Sequence, residues 1–154
     1  MRVQISTVLE CPTERAWQEV QTSRLLCHIA TPLVLFEAIA PTDLPENWSD
    51  DKYQVRMWLF GFIPFANQWI VIQRGSVPGK YELLDDGYGD MIQTWRHLIT
   101  LRPTPEGFTR YTDTVDIDAG FLTFGVWLFA NIFFRYRQSR WRGLVKRNFW
   151  YAET

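Results

Sequence analysis

His97, Asp113 and Arg137 are the residues of this 154-residue chain whose types and placement could do chemistry together. His97 lies in MIQTWRHLITLRP (91–103) and Asp113 in FTRYTDTVDIDAG (108–120), two alternating runs joined by PTPEG. Closing that hairpin near Pro103 and Phe108 sets Leu101 against Thr109, Ile99 against Tyr111, His97 against Asp113 and Trp95 against Val115. This set, extended by Gln93 and Ile117, is the more apolar of the two faces and is predicted to point inward. Directly opposed side chains have Cβ atoms about 4.5–5.5 Å apart, so imidazole and carboxylate can touch. The carboxylate then raises the His97 pKa while burial lowers it. Such a pair is a polar anchor for a ligand, a general acid or base oriented by Asp113, or a satisfied buried pair that fixes the strands. Arg137 stands inside an aromatic row, where its guanidinium can meet Asp113, a ligand carboxylate or phosphate, or the solvent edge.

The other reactive residue types suggest less. Cys11 precedes a helix start, which favours a thiolate, but no His or Lys stands beside it and a structural role is expected. His28, next to Cys27, reads as a rim or core histidine. Two cysteines and two histidines form neither a disulfide framework nor a metal-ligand spacing, so neither metal nor cofactor is predicted. DDGYGD (85–90) lacks the length and closing Glu of a calcium loop and reads as a hairpin turn.

The elements that must position these residues follow from punctuation and period. Val3, Ile5 and Thr7 alternate with polar neighbours, predicting a strand over 2–10. Pro12, Ala16, Trp17 and Val20 predict a helix, and a second short one runs from Ser23 to Ile29 before Thr31-Pro32 stops it. A strand at 33–40 leads into PTDLPENWSDDK, a polar stretch that suits a mobile lid. Five more strands, near 53–60, 67–74, 80–85, 91–102 and 108–118, are separated by GFIPF, GSVPG, DDGYG and PTPEG. The cluster Phe60, Phe62, Ile63 and Phe65 is unusually apolar for a turn and suggests a gate over a cavity or an outside contact.

One helix is predicted from Gly120 to Trp150, with two characters. FLTFGVWLFANIFF (121–134) is almost wholly apolar, and RYRQSRWRGLVKR (135–147) carries six basic residues and no acid. Fourteen apolar residues fall short of the roughly 20 that cross a bilayer. Val126, Trp127, Ala130, Phe133, Phe134, Arg137, Trp141, Leu144 and Val145 share a stripe expected to face the sheet. Leu128 and Ile132 lie opposite, where exposure would suit a homodimer contact or peripheral membrane contact. Charge is segregated: residues 1–118 hold 10 basic and 16 acidic side chains, net −6, and 119–154 hold 6 and 1, net +5. A basic surface confined to one helix argues against a nucleic-acid protein. An alternating N-terminus without an apolar signal core predicts a cytoplasmic location.

The element order is β-α-α-β6-α, an α+β domain of about seven antiparallel strands curved around a long C-terminal helix, spanning 1–154 as one domain. With its opening strand followed by CPTERAW, the strand pair above and the closing aromatic helix, the chain resembles the helix-grip superfamily. That group (SRPBCC) includes StAR-related lipid-transfer domains, birch-pollen-allergen-like proteins and aromatic polyketide cyclases/dehydrases. The resemblance covers nearly the whole length. It implies a deep hydrophobic cavity between sheet and helix and transfers no catalytic residue. Trp95, His97, Tyr111, Asp113, Trp127, Phe134, Arg137 and Trp141 are the residues expected to line it. The leading expectation is binding or transport of a lipid, isoprenoid or polyketide-like aromatic. One alternative is a cyclase, dehydrase or hydrolase using His97, Asp113 and Arg137. The other is a non-catalytic domain that meets a membrane surface or a protein through GFIPF and the basic helix.

Overall fold

The computed structural model describes residues 1–74 and 81–151. Strand β1 (Arg2–Leu9) is followed by helices α1 (Thr13–Val20) and α2 (Ser23–Ala30). Six strands come next: β2 (Val34–Ala40), β3 (Lys52–Leu59), β4 (Ile63–Gln73), β5 (Glu82–Gly89), β6 (Thr94–Pro103) and β7 (Thr109–Asp118). A 3-10 turn at Gly120–Leu122 leads into helix α3 (Thr123–Lys146), 24 residues long. The strands form one antiparallel sheet in the order β1-β7-β6-β5-β4-β3-β2. This is the α+β, β-α-α-β6-α order expected of a helix-grip fold. The GSVPG connection lies outside the described residues.

Short helices need help from their ends, because isolated turns are marginal. Thr22 caps α2 by accepting from the Leu25 N–H at 3.2 Å. PTDLPENWSDDK, expected to act as a lid, is instead stitched to the α1–α2 corner. Trp48 N–H donates to Gln21 O at 2.8 Å, Ser23 N–H to Glu46 O at 3.3 Å, and Trp48 is buried.

Helix α3 lies across the concave face and covers the free edge of β1. An edge strand presents unpaired carbonyls, and α3 side chains satisfy two of them: Trp127 Nε1 donates to Arg2 O at 2.9 Å and Gln138 Nε2 to Ile5 O at 2.7 Å. The predicted single helix from Gly120 to Trp150 is shortened at both ends. At the C-terminus the chain turns left-handed at Asn148 (φ 52°) and Phe149 (φ 60°). The Asn148 and Phe149 N–H groups then cap the Val145 and Leu144 carbonyls.

Two further expectations are corrected. The β6–β7 hairpin turns about a centre one residue later than expected, with Thr104 N–H on Phe108 O at 2.9 Å and Gly107 left-handed (φ 83°). His97 therefore pairs with Val115, and Asp113 with Ile99. The shift is two residues, so every side chain keeps its face. DDGYGD is not a turn: β5 continues through Gly89. The two glycines are explained by close approach of β4. A Cβ on Gly87 would stand 2.7 Å from Trp69 O, and one on Gly89 2.4 Å from Asn67 O.

Candidate functional site

A cavity of about 410 Å³ lies between the sheet, the two short helices and α3. Two apolar cores contribute to its wall. One gathers Leu9, Ile29, Tyr53, Val55, Leu101 and Trp141, and the other Val3, Val34, Val115, Ile117, Ala130 and Phe134. Its wall is largely aliphatic and aromatic, with contributions from Leu25, Phe36, Trp48, Met57, Ile70 and Phe133. Besides the Thr22 hydroxyl and the Trp48 and Trp95 indoles, five polar or ionisable side chains interrupt that wall from five elements: Gln68 on β4, Asp85 on β5, His97 on β6, Tyr111 on β7 and Arg137 on α3.

His97 and Asp113 touch although they are diagonal rather than directly opposed. His97 Nε2 lies 2.7 Å from Asp113 Oδ1, Tyr111 OH donates to the same oxygen at 3.0 Å, and Gln138 Nε2 donates to Oδ2 at 2.9 Å. Burial pushes the Asp113 carboxyl up, but the His97 hydrogen bond, the Arg137 charge and Gln138 together hold it below its usual value. For His97, burial outweighs the raising effect of Asp113, and Arg137 adds to the lowering. The contest anticipated from sequence thus ends with a neutral imidazole beside an ionised carboxylate. In that state Nε2 carries the proton toward Asp113 and Nδ1 is the acceptor. Burial first, then the Asp113 charge, raises the Tyr111 hydroxyl far above its ordinary value, so it stays a neutral donor.

Arg137 is buried at 4% exposure, with its guanidinium carbon 4.9 Å from the Phe134 ring centroid and 5.6 Å from that of Phe133. Its Nε has no hydrogen-bond partner. It makes no ion pair with Asp113; the two interact at longer range.

The eight residues expected on the wall separate into three groups. Trp95, His97, Tyr111 and Arg137 line the cavity. Asp113, Phe134 and Trp141 stand one layer behind it: Phe134 stacks on Trp95 at 5.9 Å and meets His97 edge-on at 5.0 Å, and Trp141 packs against Tyr111 at 6.1 Å. Trp127 is outside, because a step of about 100° per residue turns it from the cavity-lining Val126 toward the β1 edge.

Sequence reasoning missed Asp85 and Gln68. Asp85 Oδ1 accepts the Val71 N–H at 2.8 Å, where the β4–β5 pairing is interrupted between Trp69–Tyr88 and Ile72–Asp85. A carboxylate thus replaces a carbonyl in the ladder, which is how an Asp is accommodated in an interior strand. Its accessible surface is cavity wall, and burial is the leading cause of a pKa raised to about 7; the Val71 N–H and Arg137 pull down and Asp86 pushes up. Gln68 is 5% exposed, and neither its Nε2 nor its Oε1 has a partner. The usable signal was alternation carried past the apparent turn: Leu83, Asp85 and Gly87 share one face.

The thiols are not activated. Burial raises Cys11, against Arg15 and Thr109, and raises Cys27. Burial first, then Arg140 and Arg147, lower His28, which packs edge-on against Tyr151 at 5.1 Å. Among the described residues no cluster of three metal-ligating side chains occurs, and no helix is long and apolar enough to cross a membrane.

At the sheet end where β3 meets β4, the tip residues Phe60 and Phe62 are exposed, and so are Phe121 in the 3-10 turn and Phe124, Leu128 and Ile132 on α3. Phe60 (φ 55°) and Gly61 (φ 82°) are both left-handed, the backbone of a tight hairpin. Neighbouring Leu59, Phe65, Met91, Leu122 and Gly125 line the cavity, so this apolar rim borders it.

No family model matches the chain, and no curated protein sequence matches it. Solved structures do. A protein from Chromobacterium violaceum superposes with a TM-score of 0.67 at 15% identity, covering 94% of this chain and 96% of its own. A START superfamily protein from Mycobacterium smegmatis gives 0.68 at 10% identity, covering 95% and 97%. Ara h 8.0201 gives 0.57 at 9% identity, covering 96% and 98%. The chain therefore has the helix-grip fold of the START and birch-pollen-allergen-like proteins.

Proposed function

We propose that this chain binds one hydrophobic small molecule in the cavity between the sheet and α3, as a cytoplasmic carrier or sensor. The observation that carries the reading is the cavity itself. Its volume of about 410 Å³ falls within the range of small-molecule sites, and its wall combines apolar area with a few converging polar groups. A lipid, isoprenoid or polyketide-like aromatic suits that lining. Native mass spectrometry of gently purified protein is expected to reveal an adduct that organic extraction removes. Protein that carries no adduct and takes up no apolar fluorescent probe overturns the reading.

The enzyme alternative, a cyclase, dehydrase or hydrolase, draws support from the neutral His97 imidazole oriented by Asp113 on the cavity wall. Arg137, cast as its oxyanion partner, makes no direct contact with that pair, which weighs against a preassembled triad. Interaction with a bilayer is a second reading favoured by one observation, the exposed apolar rim from Phe60 to Phe62 and from Phe121 to Ile132. Absence of pelleting with anionic liposomes at low salt removes it.

A further inference from the structure

We infer that the ligand of this cavity carries a carboxylate head seated on the guanidinium of Arg137, beside the opposed strand residues Asp85 and His97. The inference rests on the binding reading above and deepens it by naming the chemistry of the ligand's polar end.

The argument begins with what Arg137 lacks. A buried guanidinium offers five N–H donors and carries its charge at any physiological pH. Arg137 has aromatic rings beneath it, an unpartnered Nε, and no ion pair or hydrogen bond with any described residue. Buried charges are ordinarily paired, because desolvation without a partner is costly. The nearby carboxylates have other work. Asp113 accepts from His97 and Tyr111 through Oδ1 and from Gln138 through Oδ2. Asp85 spends Oδ1 on the Val71 N–H that the interrupted ladder leaves without a carbonyl. The guanidinium is therefore left to the cavity, whose wall it forms.

The same census selects the kind of anion. Arg137 is the single cationic side chain among the lining residues, and Asp85 on the same wall holds its proton below about pH 7, so the site compensates at most one charge. A planar monoanion that accepts two parallel N–H bonds matches the fork. A phosphate dianion would bring a second charge against Asp113, which stays ionised behind His97. The rest of the wall is apolar toward the rim, which gives a hydrocarbon or ring system its direction: polar end on Arg137, apolar body toward Phe65, Met91 and Leu122. Gln68, with both amide atoms unpartnered on that wall, is an independent sign that the polar surface is completed by something bound.

The test uses the full chain and straight-chain carboxylates of graded length, each with its matched primary alcohol. Binding is read by the fluorescence of Trp48 and Trp95, which line the cavity. At the best length the carboxylate is expected to bind roughly ten- to a hundredfold more tightly than the alcohol, the scale of a charge-assisted hydrogen-bond pair. In Arg137→Met that preference disappears, and in Arg137→Lys part of it survives. Equal wild-type affinity for acid and alcohol overturns the carboxylate assignment and leaves cavity binding standing. Preference retained in Arg137→Met also overturns it. Failure of every acid and every alcohol to bind removes the binding reading itself. The wild-type comparison needs no variant to fold.

Discussion

The carboxylate of Asp113 and the guanidinium of Arg137 belong to opposite sides of one interior, and their surroundings differ completely. Asp113 receives three hydrogen bonds, from His97, Tyr111 and Gln138, and stands behind the cavity wall. Arg137 donates none to the described residues and stands on the wall. The saturated Asp113 carboxylate ties strand to strand and sheet to helix, and has little left to offer a ligand. An orphan charge contributes nothing to such ties and has every valence free. Completeness of hydrogen bonding, more than burial or residue type, therefore separates the structural polar groups of this cavity from those that face a ligand.

The largest expected effect tests that tie. Asp113→Ala leaves a histidine N–H, a tyrosine hydroxyl and one of the two Gln138 amide hydrogens without their acceptor, and should cost about 3–5 kcal/mol in urea unfolding. Asp113→Asn, which keeps acceptor capacity, should cost less. A loss under about 1 kcal/mol for the alanine variant would mean that the tie is not structural and would reopen a catalytic role for His97.

The second effect is a pH dependence of opposite sign in the two regions. The Asp113 and His97 values are lowered on folding. Their contribution is present above the ordinary histidine and aspartate values of 6.5 and 3.8, and is lost as the pH falls through the folded ones. Asp85 is raised from 3.8 to about 7, so its folded state holds the proton more tightly, and stability is lost as the pH rises across that interval. Asp85→Asn keeps an acceptor for Val71 and cannot ionise. Its stability relative to wild type should climb between those two values, by up to roughly 4 kcal/mol and by less where cavity water screens the charge. A flat difference across the interval would place Asp85 in contact with bulk solvent.

Arg137 supplies the contrasting case. Arg137→Met exchanges an unpaired buried charge for a side chain of similar length, and chemical denaturation should find its stability within about 1 kcal/mol of wild type or higher. A loss as large as that of Asp113→Ala would show Arg137 to be part of the structural network and would erase the distinction drawn between the two groups.

How much of this was legible in the sequence differs for the same physical reasons. His97 and Asp113 were found because strand alternation survives a register error of two residues, and the error made was two. Arg137 stood out as a charge within an aromatic stripe, and its place on the inward face follows from helical spacing alone. Asp85 was hidden because DDGYGD has the composition of a turn. Its glycines answer to the close approach of β4 carbonyls, and its aspartate to a gap in the ladder, neither of which leaves a local mark. The boundaries of α3 were overrun because its capping depends on left-handed Asn148 and Phe149, not on a glycine.

The smallest effect concerns Trp127, which the sequence placed on the cavity wall. A helix segment apolar on every side has no polar face to fix its rotation, so Trp127 and Val126 were equally eligible to point inward. The fold settles the phase through hydrogen bonding: the indole N–H reaches Arg2 O on the β1 edge, and the ring lies beside Phe124 at 5.8 Å. Trp127→Phe keeps an aromatic ring and removes that single donor. It should cost about 1 kcal/mol or less and leave the acid-over-alcohol preference of the cavity unchanged. A shift of that preference by tenfold or more would put Trp127 back among the ligand contacts and require α3 to sit rotated on the sheet.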